Sequence, residues 1–303
     1  MLESRRGLLL GVAAYGLWGA FPLYWPLLEP GGAVEILAHR IVWSALTVGV
    51  LVVVLARGPH LRRILRDRRV TLLLVVAAVT ITSNWTTYIY GVNNGRVVET
   101  SLGYFINPLV TVVMGVLILH ETLRPLQWAA LGVGFTAVGV LTWDYGHPPY
   151  LALILAFSFG TYGLAKKSAD VGAVESLAFE TAVLVPFALG YVWWLTAQGD
   201  SNFGAHGLGH AALLMSTGIV TAVPLICFGA AATRISMVSL GLLQYLAPTL
   251  QFALAILVFH EDMTPGRWVG FALVWAALIV FTVEAIRHRR RLLVLAVVAS
   301  TAA

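Results

Sequence analysis

The sequence predicts an all-α membrane protein of ten transmembrane helices, arranged as two inverted five-helix repeats. Three observations carry this. Apolar runs of about twenty residues, enough to cross a hydrocarbon core of about 30 Å, recur along the chain. Lys and Arg are unevenly shared between the intervening loops. A polar motif recurs at a fixed offset, with Pro108, His120 and Glu121 repeated as Pro248, His260 and Glu261.

Composition sets the class. Of 303 residues, 59% are hydrophobic and 11% charged, whereas a soluble domain carries about 25% charged residues. The formal charge of +5 does not point to nucleic acid, because the basic residues sit in short loops between apolar runs. The single cysteine, Cys227, excludes an intrachain disulfide and reads as a small packing residue.

Each span is justified by its apolar run and by the Gly, Pro, Asn or charge that ends it. The first, Gly7–Leu28, follows Arg5 and Arg6. Trp18 and Pro22 stand where a leader would place a small-x-small cleavage site, so a retained helix is expected. The second, Val34–Leu55, ends at GPHLRRILRDRR. The third, Val70–Val92, ends at NNGR, and the fourth, Val98–Leu119, at HETLRP. The fifth, Leu126–Trp143, ends at DYGHPP, and the sixth, Tyr150–Ala165, at KKSADVG. The seventh, Val174–Thr196, leads into a glycine-rich loop containing HGLGH. The eighth is Ala211–Ala232. The ninth, Val238–Phe259, ends at HEDMTPG, and the tenth is Arg267–Ile286. The runs are continuous rather than alternating, which selects helices over barrel strands. The apolar tail LLVLAVVASTAA is too short to span and is expected on the membrane surface or disordered. The organisation is a terminus at 1–6, a repeat at 7–143, a linker at 144–149, a repeat at 150–286 and a tail at 287–303.

Orientation follows from the basic residues. With the N-terminus inside, the inner loops hold Arg5, Arg6, six arginines from Arg57 to Arg69, Arg124, Lys166, Lys167, Arg234 and four arginines from Arg287 to Arg291. The outer side holds Arg96 and Arg267, and Arg40 lies within a span. The positive-inside rule then places both termini in the cytoplasm, and a multi-pass protein of the bacterial inner membrane is expected.

The repeat is read from INPLVTVVMGVLILHETLRPLQW and LAPTLQFALAILVFHEDMTPGRW. Pro125 and Trp128 match Pro265 and Trp268. Upstream, Arg96 and Ser101-Leu102-Gly103 match Arg234 and Ser239-Leu240-Gly241. Val34-Glu35 and Leu37-Ala38 match Val174-Glu175 and Leu177-Ala178, and Gly16 and Gly19 match Gly160 and Gly163. Five spans are an odd number, so the second copy enters from the opposite side. Inverted repeats let one bundle rock against another around a midplane site. Channels are also built this way.

The segments NWTTYIYGVNN, SLGYFINPLV, GIVTAVPLICFGAAATR and LGLLQYLAPTL, with VEILAHRIVWS and FSFGTYGLAKK, resemble the RarD-type permeases of the EamA group in the drug/metabolite transporter superfamily. The resemblance covers about Gly7 to Ile286. It implies ten helices, cytoplasmic termini, a central cavity lined by the first four helices of each repeat, and secondary transport, usually export. Chloramphenicol, the compound commonly attached to the group's name, is a weak substrate guide.

Three spans carry polar stripes at helical spacing. The third has Thr80, Asn84, Tyr88 and Gly91, with Thr87 alongside. The fourth has Ser101, Tyr104, Pro108 and Thr111, with Asn107. The ninth has Gly241, Gln244, Pro248 and Gln251. In hydrocarbon such residues face the bundle interior or water, so Asn84, Tyr88, Tyr104, Asn107, Gln244 and Gln251 are candidate substrate-cavity residues. The competing reading is hydrogen bonding between helices. Trp18, Trp85 and Tyr162 are candidate aromatic walls, or else packing. Pro108, Pro248 and Pro224 are candidate helix breaks.

Arg40 and Glu180 are the charges deepest within spans. Together with Glu35 and His39 they are the coupling or gating candidates. The second and seventh spans enter from opposite sides, so Arg40 and Glu180 are expected to act separately. Arg40 is a candidate receptor for an anionic group, or a partner of Glu35 or Glu99, or it snorkels to the interface. Glu180 is a candidate proton or cation site. His120-Glu121 and His260-Glu261 read as helix exits. His206 and His210 lack the Glu of a zinc-protease motif, and no metal or cofactor is expected.

Partners are therefore the lipid bilayer, a small-molecule substrate and a coupling proton or ion. Nucleic acid is not among them, and no motif bears on oligomeric state. A membrane-embedded enzyme needs clustered acids and bases at one depth, and no span has a central carboxylate pair. A channel or receptor-like scaffold is the alternative. An ATP-driven pump is excluded for this chain by the absence of a Gly-Lys dipeptide.

Overall fold

The computed structural model describes residues 2–120, 122–232, 234–235 and 243–301, and they are helical almost throughout. In chain order the helices are α1 (Leu2–Gly19), α2 (Phe21–Tyr24), a 3₁₀ turn (Trp25–Leu28), α3 (Ala33–Val54), α4 (Gly58–Arg66), α5 (Arg68–Asn93), α6 (Val97–Leu119), α7 (Pro125–Tyr145), α8 (Tyr150–Ala169), α9 (Ala173–Gln198), α10 (Gly207–Ala232), α11 (Leu246–Leu257) and α12 (Pro265–Thr301).

Seven of these are long and apolar enough to cross a membrane, and α1 with its bent continuation makes an eighth. The bend is 45°. It falls where Pro22 and Pro26 each open a new helical segment, since proline lacks an N–H and restarts the helix at its own first turn. Two further apolar helices are shorter, Tyr150–Lys166 and Leu246–Leu257.

Local chemistry sets several ends. Asp67 caps α5 by accepting from the amides of Arg69 and Val70 at 3.0 and 3.2 Å. Gln127 Oε1 accepts from the Arg124 amide at the start of α7. His120 closes α6 in the left-handed region, at φ 54°, and its repeat mate His260 sits at φ 52° beyond α11. Both histidines are helix exits, where such a φ ends the ladder.

Four differences from the sequence reading stand out. The arginine-rich loop after the second span folds into α4, whose buried Ile64 packs with Leu74 and Phe179. The sixth span continues past Ala165 to Ala169, so Lys166 lies on a helix. His210 belongs to the first turn of α10 rather than to a loop. The apolar span at the end of the chain is Pro265–Glu284, close to the expected tenth span, but its helix α12 does not stop there and runs to Thr301 through a stretch with no Gly or Pro to end it. The start of the ninth span, Gly241 of its stripe, Ser239, Leu240 and Glu121 lie outside the described residues.

The prolines also differ from expectation. α6 passes through Pro108 and α10 through Pro224 without a break. A proline removes one ladder bond, and the packed turns on either side hold the helix. Pro248 sits in the first turn of α11, where its missing N–H would be unpaired anyway.

Packing is helix on helix. α5 and α6 both lie against α8, α3 against α9 and α10, α1 against α10 and α11, α6 against α11, and α7 against α12. Trp25, Ile36, Leu74, Ile89, Leu102, Leu155, Leu214 and Phe271 are buried between them. Small residues permit the closest approaches. A β-carbon on Gly103 would lie 2.9 Å from the Ala152 carbonyl, and one on Gly218 would overlap the Trp43 carbonyl. The outer faces are apolar, with Trp143, Val53, Phe187 and Trp193 largely exposed. Such a surface suits lipid and not water.

Candidate functional site

The deepest charge is Arg40 on α3, only 4% exposed. Its guanidinium carbon lies 3.9 Å from the Trp85 ring centroid, 4.9 Å from that of Trp25 and 5.8 Å from that of Phe21. Nε donates to Thr221 Oγ1 on α10 at 3.0 Å. Tyr24, Tyr88 and Tyr104 are its other polar neighbours. Five elements thus converge on one side chain. The arginine does not snorkel, because bulky aromatic rings enclose it. Neither suggested acid pairs with it. Glu35 accepts from the backbone and side-chain amides of Asn202, each at 2.7 Å. Glu99 binds Arg96 and accepts from the Leu151 amide at 3.0 Å.

Beside Arg40, Tyr88 and Tyr104 stand edge to face at 5.6 Å. The Tyr104 hydroxyl donates to Asn84 Oδ1 at 3.1 Å, and Asn84 Nδ2 donates to the Leu155 carbonyl at 3.0 Å and to Ser158 Oγ at 3.1 Å. Asn84 thereby has both its amide nitrogen and its oxygen engaged and ties α5 to α6 and α8. Among the described residues, the Tyr88 hydroxyl is buried without a hydrogen-bond partner.

The other candidates scatter. Gln251 donates to the Trp18 carbonyl at 3.1 Å, and Trp18 packs with Tyr15 and Phe228. Asn107 Oδ1 and Gln251 Oε1 have no hydrogen-bond partner among the described residues. Gln244 lies in the turn before α11, not on its face. His39 stacks on Phe203 at 4.9 Å. An open crevice of about 430 Å³ lies between α6, α11 and α12, lined by Phe105, Tyr245, Phe252 and Trp275 among others. None of the sequence-predicted cavity residues lines it.

Glu180 on α9 forms a second centre. It is 1% exposed, ion-pairs with Lys166 at 3.0 Å, and accepts from Ser176 Oγ and from the Tyr162 hydroxyl at 3.4 Å. Arg40 and Glu180 share no partner. A third polar site joins helix ends. The Glu261 carboxylate accepts from the amides of Val97 and Val98 and so caps α6 from another part of the chain. Burial pushes its carboxyl above the ordinary range, while the two amides and then Arg267 and Arg96 pull it back. Beside it, Arg96 donates to Tyr150 and Glu99, and Asp144 binds Thr264 and Arg267. Among the described residues, no group of three His, Cys, Asp or Glu could hold a metal ion.

Sequence reasoning missed Thr221, Trp25, Lys166 and Ser176. Thr217 and Thr221, four apart in an apolar run, were a readable polar face. Lys166 read as a loop cation because the expected span ended at Ala165, four residues before the helix does.

Comparison with known proteins places this arrangement. Residues 5–143 match the EamA-like transporter family. "Protein RarD" of Streptomyces exfoliatus is 58% identical over 95% of this chain and 92% of its own. "Protein RarD" of Escherichia coli K12 is 40% identical over 95% and 98%. "Chloramphenicol-sensitive protein RarD" of Pseudomonas aeruginosa is 30% identical over 96% and 98%. A solved crystal structure superposes with a TM-score of 0.57 over 92% of this chain and 98% of its own at 20% identity, a likeness of fold alone. With near full-length identity to RarD proteins and apolar helices throughout, the chain belongs to the EamA-like transporter family as a RarD-type, multi-pass membrane permease of the drug/metabolite transporter kind.

Proposed function

We propose that the chain is a ten-span secondary transporter of a small organic solute, built from inverted repeats at 7–143 and 150–286, and that it works by alternating access. The spans would be α1 with its bent continuation, α3, α5, α6, α7, α8, α9, α10, the ninth segment ending in α11, and α12. One observation carries the reading. If each span of one half corresponds to the fifth span after it, the most extensive contacts should fall into mates, and they do, although the smaller contact of α3 on α5 has no counterpart among the described residues. α5 on α8 is mated by α10 on α1, α6 on α8 by α11 on α1, and α3 on α10 by α9 on α5. The contacts α3 on α9, α6 on α11 and α7 on α12 are their own mates. A pseudo-twofold axis in the membrane plane produces this pattern.

The polar contacts support the same threading. Arg57 pairs with Glu175 and Arg124 with Glu284, joining ends that ten spans put inside. Asn202 with Glu35, Glu261 with α6, and Asp144 with Arg267 join ends put outside. The substrate chamber is assigned to the space around Arg40, Tyr88 and Tyr104, where helices of both halves meet. Glu180 is assigned as the proton or cation site, and export is the direction implied by the family resemblance. With Cys227 replaced, a cysteine at Ser201 should react with an impermeant thiol reagent from outside and one at Ser168 should not. Reversed labelling would overturn the orientation, and labelling of both from one side would break the span count.

A further inference from the structure

We infer that the substrate is an organic monocarboxylate, bound by Arg40 through its two Nη groups and by the Tyr88 hydroxyl. The inference rests on the transport reading above and names the chemical class that its chamber accepts.

Arg40 is the one buried Lys or Arg among the described residues. Burying a cation is costly unless it is paired, yet among the described residues no carboxylate lies within 4 Å of it. The two acids that the sequence offered as partners are engaged elsewhere, Glu35 by Asn202 and Glu99 by Arg96 and Leu151. The aromatic rings of Trp85 and Trp25 interact with the guanidinium, and Nε is held by Thr221. Among the described residues, the Nη groups are the part left without a hydrogen-bond partner. A planar fork of this kind matches a carboxylate with two parallel bonds.

Tyr88 supplies the second observation. Its hydroxyl is buried and has no hydrogen-bond partner among the described residues, and it lies on the helix that also carries Trp85. Buried donors are normally satisfied. The neighbouring Tyr104 hydroxyl already donates to Asn84, so Tyr88 remains for a ligand oxygen. Charge count selects a monoanion. One buried cation neutralises one charge, and a phosphate dianion would keep a second charge beside the rings of Phe21, Trp25 and Trp85. Those same rings suit an apolar or aromatic body on the carboxylate.

The test uses the full chain in a bacterial host. Wild type, Arg40→Gln and Arg40→Lys are compared with an empty vector by untargeted mass spectrometry of cells and medium. The solutes redistributed by wild type should be monocarboxylates, and Arg40→Gln should return them to the empty-vector level. The most redistributed acid and its neutral amide are then titrated on purified protein, with tryptophan fluorescence as readout because Trp85 stacks on Arg40. The acid should bind and the amide should not. Arg40→Gln should weaken the acid about 100-fold, as for truncation of a buried charge pair. Arg40→Lys should bind with intermediate affinity, and Tyr88→Phe should lose about tenfold. Monodisperse elution of each variant checks folding. Redistribution of neutral, cationic or phosphorylated solutes would overturn the anion class while leaving transport intact. Acid binding by Arg40→Gln within threefold of wild type would overturn the role of Arg40. If wild type redistributes no solute at all, the transport reading falls first and this inference with it.

Discussion

The Lys166–Glu180 pair offers the sharpest energetic test. Glu180 is 1% exposed, and the Lys166 side chain is 22% exposed at 3.0 Å from it. With an effective dielectric constant of about 20, the attraction at that distance is on the order of 5 kcal/mol. Desolvation of both groups removes much of it, and the partial exposure of Lys166 removes more. Removing one partner is a different matter. Lys166→Met leaves a buried carboxylate held only by Ser176 and Tyr162. Such changes cost about 3–5 kcal/mol. The lower end fits here because two hydroxyls remain. At about 2–4 °C per kcal/mol, the melting temperature in detergent should drop by roughly 6–12 °C. The double variant Lys166→Met with Glu180→Gln removes the stranded charge and should recover to within about 1 kcal/mol of wild type. With Glu180→Gln alone as the second single variant of the cycle, a non-additive coupling of about 2–3 kcal/mol is the signature. The assay is thermal unfolding followed by size-exclusion fluorescence. If the single and double variants melt together, or Lys166→Met melts with wild type, Glu180 does not depend on Lys166 and this reasoning fails.

Other outcomes follow from the same geometry. Asn84→Leu loses three interhelical hydrogen bonds and should cost about 2 kcal/mol, given averages near 0.6 kcal/mol each in membranes. A variant of unchanged stability but weakened substrate binding would instead make Asn84 a cavity residue. Gly218→Ala should destabilise by about 1–3 kcal/mol, because its β-carbon meets the Trp43 carbonyl. Gly49→Ala, with open space around it, should stabilise by about 0.5–1 kcal/mol; equal effects would show that α3 and α10 are not in close contact. Glu261 has its carboxyl raised in the folded chain, so its contribution is complete below the unfolded value of 4.5 and is lost as pH rises through the raised value. The melting temperature of wild type minus that of Glu261→Gln should therefore shrink from pH 4 to pH 7. A difference that grows with pH would mean that the two α6 amides outweigh burial.

Much of the molecule was legible in its residues, for a simple reason. A bilayer demands apolar runs of a set length with all backbone groups bonded internally, and that demand is written locally. The apolar runs, the basic loops, the paired His-Glu exits and the family resemblance therefore appear in one dimension, and so does the prominence of Arg40 as a charge inside a span. Whether Arg40 reaches water, an acid or an aromatic cage depends on which helices face it. Trp25, Trp85 and Thr221 stand 15, 45 and 181 residues away along the chain, and no periodicity couples such distances. The same applies to Asn84. Its stripe predicted an inward face, but only packing put the Leu155 carbonyl and Ser158 within bonding range and turned it into a tie between helices. Polar spacing says which side of a helix is buried. Tertiary packing alone decides whether the buried groups satisfy one another or wait for a ligand, because that depends on the partner's atoms and not on the helix's own.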